Sequence, residues 1–486
     1  MSIHILSVLG TSLYEPVLYK GKRDSIETEF IQLAIINEYR EELRNGGKVT
    51  IFVTDGSEKR NWNDRIYNDK DVEFSRKWTS SKKNLVKEDM AKKGLRTMLK
   101  EHFHDIERCV ECVRIPDMKT EGEIWTVFEN IYKAIDENDE IVFDITHSFR
   151  SIPMLAVTVI NYAKILKNCR LNGIYYGAYE GAVDEGDVKQ APIIDLTVFN
   201  EILEWTYAAE SFVNYGNVDK MKETYKIHTE KLSGDEKKTW SPIKKIIDKM
   251  ENVALGITTC RGADSTKLLS NDPRKSVKQS YIALKESVSK QDPDLGKEIV
   301  PMMELIKHAT YKFNAFDCEK DYEIGIQMVK WSVRYNMIQQ GYTALEETIK
   351  TFVCELYNID DVGEDIRDGI VGNIINACKE GVPDTAEERE ELFNRISTED
   401  KMFANMYNEL DEDMQIKAKR MVMELPKELF NLAKSVKNYR NDINHMGFRH
   451  KACTSQKLKD NLEVKLSEFE RIVDKVVNVS VIENKQ

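Results

Sequence analysis

The chain has 486 residues, 41% of them hydrophobic and 32% charged, with a formal net charge of −12. The length allows about two to four domains, and the composition is that of a globular protein, not a disordered or membrane one. The acidic balance argues against a protein that coats nucleic acid through overall charge, while leaving room for a local basic site.

Residues 3–10, IHILSVLG, follow no basic leader and read as a buried first strand, not a signal peptide. Helical periodicity runs over 26–43, with Ile31, Ala34 and Ile35 on one face. GGKVTIFVTDG (46–56) reads as glycine turn, strand and loop. WTSSKKN (78–84) is read as an exposed loop, with closure over a ligand through Lys82 and Lys83 as the alternative. A helix is expected over 87–103 and a strand over CVECVRIP, 109–116. Cys109 and Cys112 form a CxxC with no second pair nearby, so zinc lacks its four ligands. Eight scattered cysteines give no disulfide framework and point to reduced thiols and the cytoplasm.

A helix is predicted over 121–135. EIVFDITHSFRSIP (140–153) is strand, then loop, then a helix to 166. The longest apolar run, 152–166, contains Pro153, Asn161 and Lys164 and is too short and polar to span a bilayer. Strands follow at 171–181 and 192–199. Strands alternating with helices imply an α/β domain, residues 1–200, built on a Rossmann-like, mainly parallel sheet. From residue 201 strand signals fade. The expectation is a helical connector over 201–294, Ser- and Lys-rich over 264–291, and an all-α domain over 295–486. The acidic stretch 378–413, with EEREEL and ELDEDM, reads as a solvated surface.

Two constellations carry chemistry. In the first, three loops follow predicted strands: Gly10, Thr11 and Ser12; Thr54, Asp55 and Gly56; and Thr146, His147, Ser148, Phe149 and Arg150. A parallel sheet brings such loops to one edge. Gly10 and Gly56 let backbone approach a ligand. The hydroxyls, and helix N-termini after the first and third loops, suit phosphates. The bland reading, that Ser and Thr merely cap helices and turns, is equally open. Neither GxxxxGK[ST] nor a good GxGxxG is present, which weighs against an ordinary ATPase or dehydrogenase.

The second is NLAKSVKNYRNDINHMGFRHK, 431–451. On a helix, Leu432, Val436, Tyr439 and Ile443 form one stripe toward a core, while Arg440, Asn441, Asn444 and His445 fall on the other side. Gly447 ends the helix. This pattern suits RNA cleavage by transesterification: histidine exchanges the proton near neutral pH and arginine meets the charge growing on phosphate. Taken alone, a helix with Arg and His on its wet face is more often just a wet face. In WSVRYNMIQQGYTALEE (331–347) the apolar positions are read as core, with Gln339, Gln340 and Tyr342 as the alternative substrate contacts.

Both constellations resemble known families. Arg440 to His445 resembles the R-x4-6-H signature of HEPN ribonucleases, with a polar residue after the arginine. The DITHSFRSIP segment resembles the hallmark of CARF domains, as do LSVLGTSLY and GIYYGAYEG, and 199–216 with Trp205, Ala209, Phe212 and Gly216 resembles the helix after that domain. In order and extent the chain resembles the CARF–HEPN ribonucleases that assist type III CRISPR systems. The resemblance implies a homodimer in which CARF domains bind a cyclic oligoadenylate, four adenylates favoured over six. Binding would activate metal-independent cleavage of single-stranded RNA by paired C-terminal sites, with no cofactor beyond the activator. Arg440 and His445 would be catalytic and Asn441 supporting. Gly10, Thr11, Ser12, Thr146, His147, Ser148 and Arg150 would bind the ligand, with Thr54 and Asp55 weaker candidates. Slow cleavage of the ligand itself by Thr11, Ser12 and His147 is a further implication. The competing readings are a non-enzymatic nucleotide-sensing regulator or adaptor, and a metal-dependent nuclease, for which no carboxylate cluster stands out.

Overall fold

The computed structural model describes residues 2–21, 24–78, 87–147, 151–185, 188–230, 232–262, 276–290, 296–297, 299–359, 366–378, 381–448 and 451–483. The chain divides into two compact units, residues 1–201 and 202–486.

The first unit is built on strands β1 (Ile3–Leu9), β2 (Val17–Lys20), β3 (Ser25–Thr28), β4 (Lys48–Val53), β5 (Arg65–Ile66), β6 (Ala91–Lys92), β7 (Val110–Arg114), β8 (Glu140–Asp144), β9 (Arg170–Gly177), β10 (Val183–Glu185) and β11 (Val188–Asp195). The main sheet has the order β3-β2-β11-β9-β8-β1-β4-β7, with β10 on β11, and β5 pairs with β6 apart from it. Five neighbouring strands, β9-β8-β1-β4-β7, are parallel. Every residue of β1 is buried, because a central parallel strand is covered on both faces, and this is why it reads as mostly apolar, its polar His4 and Ser7 being hydrogen-bonded inside. Alternation still sorts its side chains: Ile3, Ile5 and Leu9 enter one core, Leu6 and Val8 the other. Helix α1 (Ile31–Glu38) fills the first core, and α2 (Glu121–Ala134) and α3 (Ser151–Lys167) the second.

Three local expectations change. Residues 26–43 are not one helix. Ile26 lies in β3 opposite Tyr19, where a β-branched residue gains a cross-strand partner, and Thr28 closes the turn by accepting the Phe30 N–H. Consequently the first loop leads into a strand, and the helix N-terminus expected after it is not there. Over 87–103 the helix begins only at Leu95, because Ala91 and Lys92 pair with β5 and Gly94 is an extended N-cap, where a Cβ would meet the Trp62 carbonyl oxygen at 2.3 Å. The strand expected over 192–199 ends at Asp195 and runs antiparallel to β9; Val198 already begins α4 (Val198–Tyr215).

The second unit is helical. The helices used below are α5 (Ile338–Leu356), α6 (Lys427–Asn444) and α7 (Ser455–Glu483). One core cluster gathers Trp205, Phe212, Met221, Ile243, Met250 and Val277 with Phe313, Trp331, Phe352, Phe430 and Phe469. The residues read as a connector therefore share their core with those beyond 295. Among the described residues no helix is long and apolar enough to cross a membrane, and no cluster of side chains is arranged to hold a metal. All eight cysteines are free.

Candidate ligand and cleavage sites

From β1 the chain goes to β4 and β7 on one side, then returns to β8 and β9 on the other. Strand order reverses between β1 and β8, the place where open α/β sheets leave a crevice at the carboxyl ends of their strands. Register sets Leu9 beside Val53 and Ser7 beside Asp144, so the loops after β1, β4 and β8 emerge together.

Their approach is close. A Cβ on Gly10 would lie 2.2 Å from the His147 carbonyl oxygen, and one on Gly56 would lie 3.1 Å from Thr11 Cγ2. Thr11 is half-buried and Ser12 exposed. The buried Asn61 amide donates both protons into the first loop, to the carbonyls of Gly10 and Ser12, each at 2.8 Å. Its oxygen accepts from Lys92 Nζ at 2.9 Å, and Lys92 pairs with Glu29 at 3.4 Å. Burial holds the Lys92 ammonium below its usual range, while the Glu29 carboxylate opposes that. No motif in the sequence marks Asn61 or Lys92.

The third loop hangs on Asp144, which is fully buried. It accepts from Ser7 Oγ at 2.6 Å, Gln32 Nε2 at 3.2 Å and the Thr146 N–H at 2.9 Å. Burial raises its pKa; the hydrogen bonds from Ser7 and Thr146 oppose this. Thr146 Oγ1 accepts the Gly177 N–H at 2.8 Å, while its own proton is directed to Asp144. The His147 ring stacks on Tyr14, centroids 3.8 Å apart and planes 24° apart. Burial, aided by the Lys92 ammonium, pushes the His147 pKa down to about 3, so the ring is neutral. Its Nε2 is buried without a hydrogen-bond partner among the described residues. So is the Tyr14 hydroxyl, which sits against Gly10 and Asn61 without an aligned bond. Thr54 is different: its hydroxyl is buried and caps the short helix Asp55–Ser57 in a reciprocal box with Ser57. Asp55 is exposed. Ser148 and Arg150 lie outside the described residues, as do Lys82 and Lys83.

In the helical unit, α6 turns Leu432 and Val436 fully into the core, with Tyr439 and Ile443 packed against it. Tyr342, on α5, is core: its ring lies 5.4 Å from that of Tyr439, and its hydroxyl donates to the Leu458 carbonyl. Gln339 is exposed and its amide reaches Asn444 Oδ1 at 3.4 Å. On the opposite face of α6, Asn441 is half-buried, and Asn444 and His445 are exposed. Arg440 is half-buried, with its Nε 2.8 Å from Glu346 Oε2. His445 is the C-cap, its N–H bonded to the Asn441 carbonyl. Met446 (φ 54°) and Gly447 (φ 74°) then take left-handed conformations, and the Gly447 N–H closes on the Asp442 carbonyl. The buried Asp442 carboxylate accepts the Cys453 N–H at 2.8 Å, drawing the following chain back onto the helix. His445 thus stands on a doubly braced turn, flanked by the nearly bare side chains of Met446 and Phe448.

Comparison with known proteins agrees with the N-terminal architecture. Residues 4–180 match the family model for the CARF domain of CRISPR system endoribonuclease Csx1. The chain is 28% identical over 377 residues to CRISPR-associated protein MJ1674 of Methanocaldococcus jannaschii. That alignment covers 73% of this chain and 53% of the relative, so the chain spans about half the relative's length. It is longer than the N-terminal unit and runs into the helical one.

Proposed function

We propose, from the match of residues 4–180 to the CARF domain model and the similarity to a CRISPR-associated protein, that the chain is a type III ancillary endoribonuclease. In this reading a cyclic oligoadenylate binds the CARF domain, a ring of four adenylates being the expected activator, and the helical unit cuts single-stranded RNA without metal. The observation that carries the proposal is the end of α6: Arg440 and Asn441 half-buried there, and His445 exposed on a braced turn, in a chain whose other unit matches the CARF model.

The chemistry follows from these groups. His445 takes the proton of a ribose 2′-hydroxyl as its oxygen attacks the adjacent phosphorus. The bond to the 5′-oxygen breaks, and that oxygen leaves protonated, giving a 2′,3′-cyclic phosphate and a 5′-hydroxyl. A second histidine, from the partner of a homodimer, supplies the leaving proton. Arg440 carries the charge that grows on the phosphate oxygens. Dimerisation is supported by the outer face of α3, where Met154 and Ile165 are 76% and 84% exposed beside Tyr162 and Leu166. An apolar stripe on the wet side of a helix calls for a partner. Because α3 follows the third loop, a two-fold axis near Met154, in its first turn, would set both crevices close to each other.

The test is RNA cleavage by purified protein in EDTA with a panel of cyclic oligoadenylates. His445→Ala is expected to abolish cleavage while ligand binding survives. Full activity of that variant would remove the nuclease assignment; binding without any cleavage by the wild type would leave a nucleotide-sensing regulator.

A further inference from the structure

The first acid of the Glu346-Glu347 pair reads in the sequence as an ordinary helix-surface residue. In the fold it is 8% exposed, and it faces Arg440 across α5 and α6. The remaining charges nearby are otherwise engaged. Lys350 binds Glu347 and Asp368, Arg367 binds Glu347, and Lys437 donates to Asn376. Arg440 is therefore the near counter-charge of Glu346, with Nε 2.8 Å from Oε2. The contact is an ion pair without a directed hydrogen bond, since the N–H is not aligned with the carboxylate oxygen. Beside the pair lies a cavity of about 300 Å³, whose charged walls are Arg440, Lys350 and Lys437 with the acids Glu346, Glu347 and Asp368, the last two paired with Lys350. Substrate atoms have room next to the guanidinium.

Resting on the nuclease reading above, we infer that Glu346 is a positioning residue for cleavage. It holds the Arg440 guanidinium by its Nε, so that the two terminal nitrogens stay free as a fork for the scissile phosphate. The physical reason is the division of the guanidinium. One nitrogen pairs with a carboxylate that burial keeps in place, and the other two are the edge that binds phosphate in two parallel bonds. Without the carboxylate, a four-bond side chain regains its rotamers, and the fork must be fixed anew in each transition state.

The experiment uses the full chain with activator and EDTA, comparing Glu346→Gln and Glu346→Asp with the wild type. The Gln variant keeps the shape and removes the charge; the Asp variant keeps the charge and withdraws it by one carbon. Expected is a fall in kcat of about tenfold or more for Gln and a smaller fall for Asp, with KM within about twofold and an unchanged melting temperature. Wild-type kcat in both variants, or higher activity in Glu346→Gln, overturns the inference, the latter because it makes the pair a restraint. Arg440→Ala and His445→Ala run alongside. Full activity in those would sink the nuclease reading itself, whereas their inactivity beside fully active Glu346 variants would sink the positioning role alone.

Discussion

His147 and Gly10 show how single residues set the crevice at the strand ends. Burial against Tyr14 holds the His147 pKa at about 3, against roughly 6.5 in an unfolded chain. Below that unfolded value the unfolded state binds a proton that the folded state refuses. The stabilising contribution is thus complete above pH 6.5 and is lost as pH falls toward 3. His147→Phe keeps the stack on Tyr14 and is expected to flatten this part of the acid loss, by at most about 1.4 kcal/mol per pH unit. Denaturant unfolding at neutral and mildly acidic pH reads the slope. Some acid sensitivity will persist, because burial also lowers the pKa of His228 in the helical unit. An unchanged slope would mean that His147 is solvated. Gly10→Ala acts through sterics. Its methyl would meet the His147 carbonyl, a backbone atom that cannot swing away. The expected result is a loss of about 1–3 kcal/mol of stability and weakened cyclic oligoadenylate binding in a titration; wild-type affinity would place the ligand elsewhere.

At the level of elements, α3 and α6 invite opposite readings. Helix α6 is amphipathic in the ordinary way, and its core stripe of Leu432 and Val436 follows directly from 3.6-residue periodicity. Helix α3 is apolar nearly all round. Its inner face, with Ile152, Ala156, Val159 and Ile160, lies in the core, while Met154 and Ile165 stand in solvent. If that outer stripe is the dimer contact, Ile165→Glu places a charge in an apolar interface and should convert dimer to monomer in light scattering, with the fold intact by circular dichroism. A dimer that survives the substitution would move the two-fold axis away from α3.

For the whole molecule, the proposed pairing of cleavage sites across a dimer would make activity depend on association. Specific cleavage activity is expected to rise with protein concentration until the dimer saturates, and added cyclic oligoadenylate should shift the equilibrium toward the active arrangement. Ile165→Glu should then need more protein to reach the same specific activity. A specific activity independent of concentration down to nanomolar protein, with or without activator, would indicate a site complete within one protomer.

Much of this was legible before folding. The apolar run of β1, the alternation of strands and helices, and the stripe along α6 are local patterns, because a buried parallel strand and a helix face each leave a period in the sequence. The loops after β1 and β8 were legible too, through glycine and hydroxyl residues at strand ends. What the sequence concealed lies in partners far apart along the chain. Asn61 and Lys92 brace the Gly10 loop, Gln32 and Ser7 hold Asp144, and Glu346 reaches Arg440 from another helix. Each looks like an ordinary polar residue, since burial and pairing are properties of neighbours that only tertiary packing supplies. The same reason turned Ile26 from helix to strand: its partner Tyr19 outweighed local propensity.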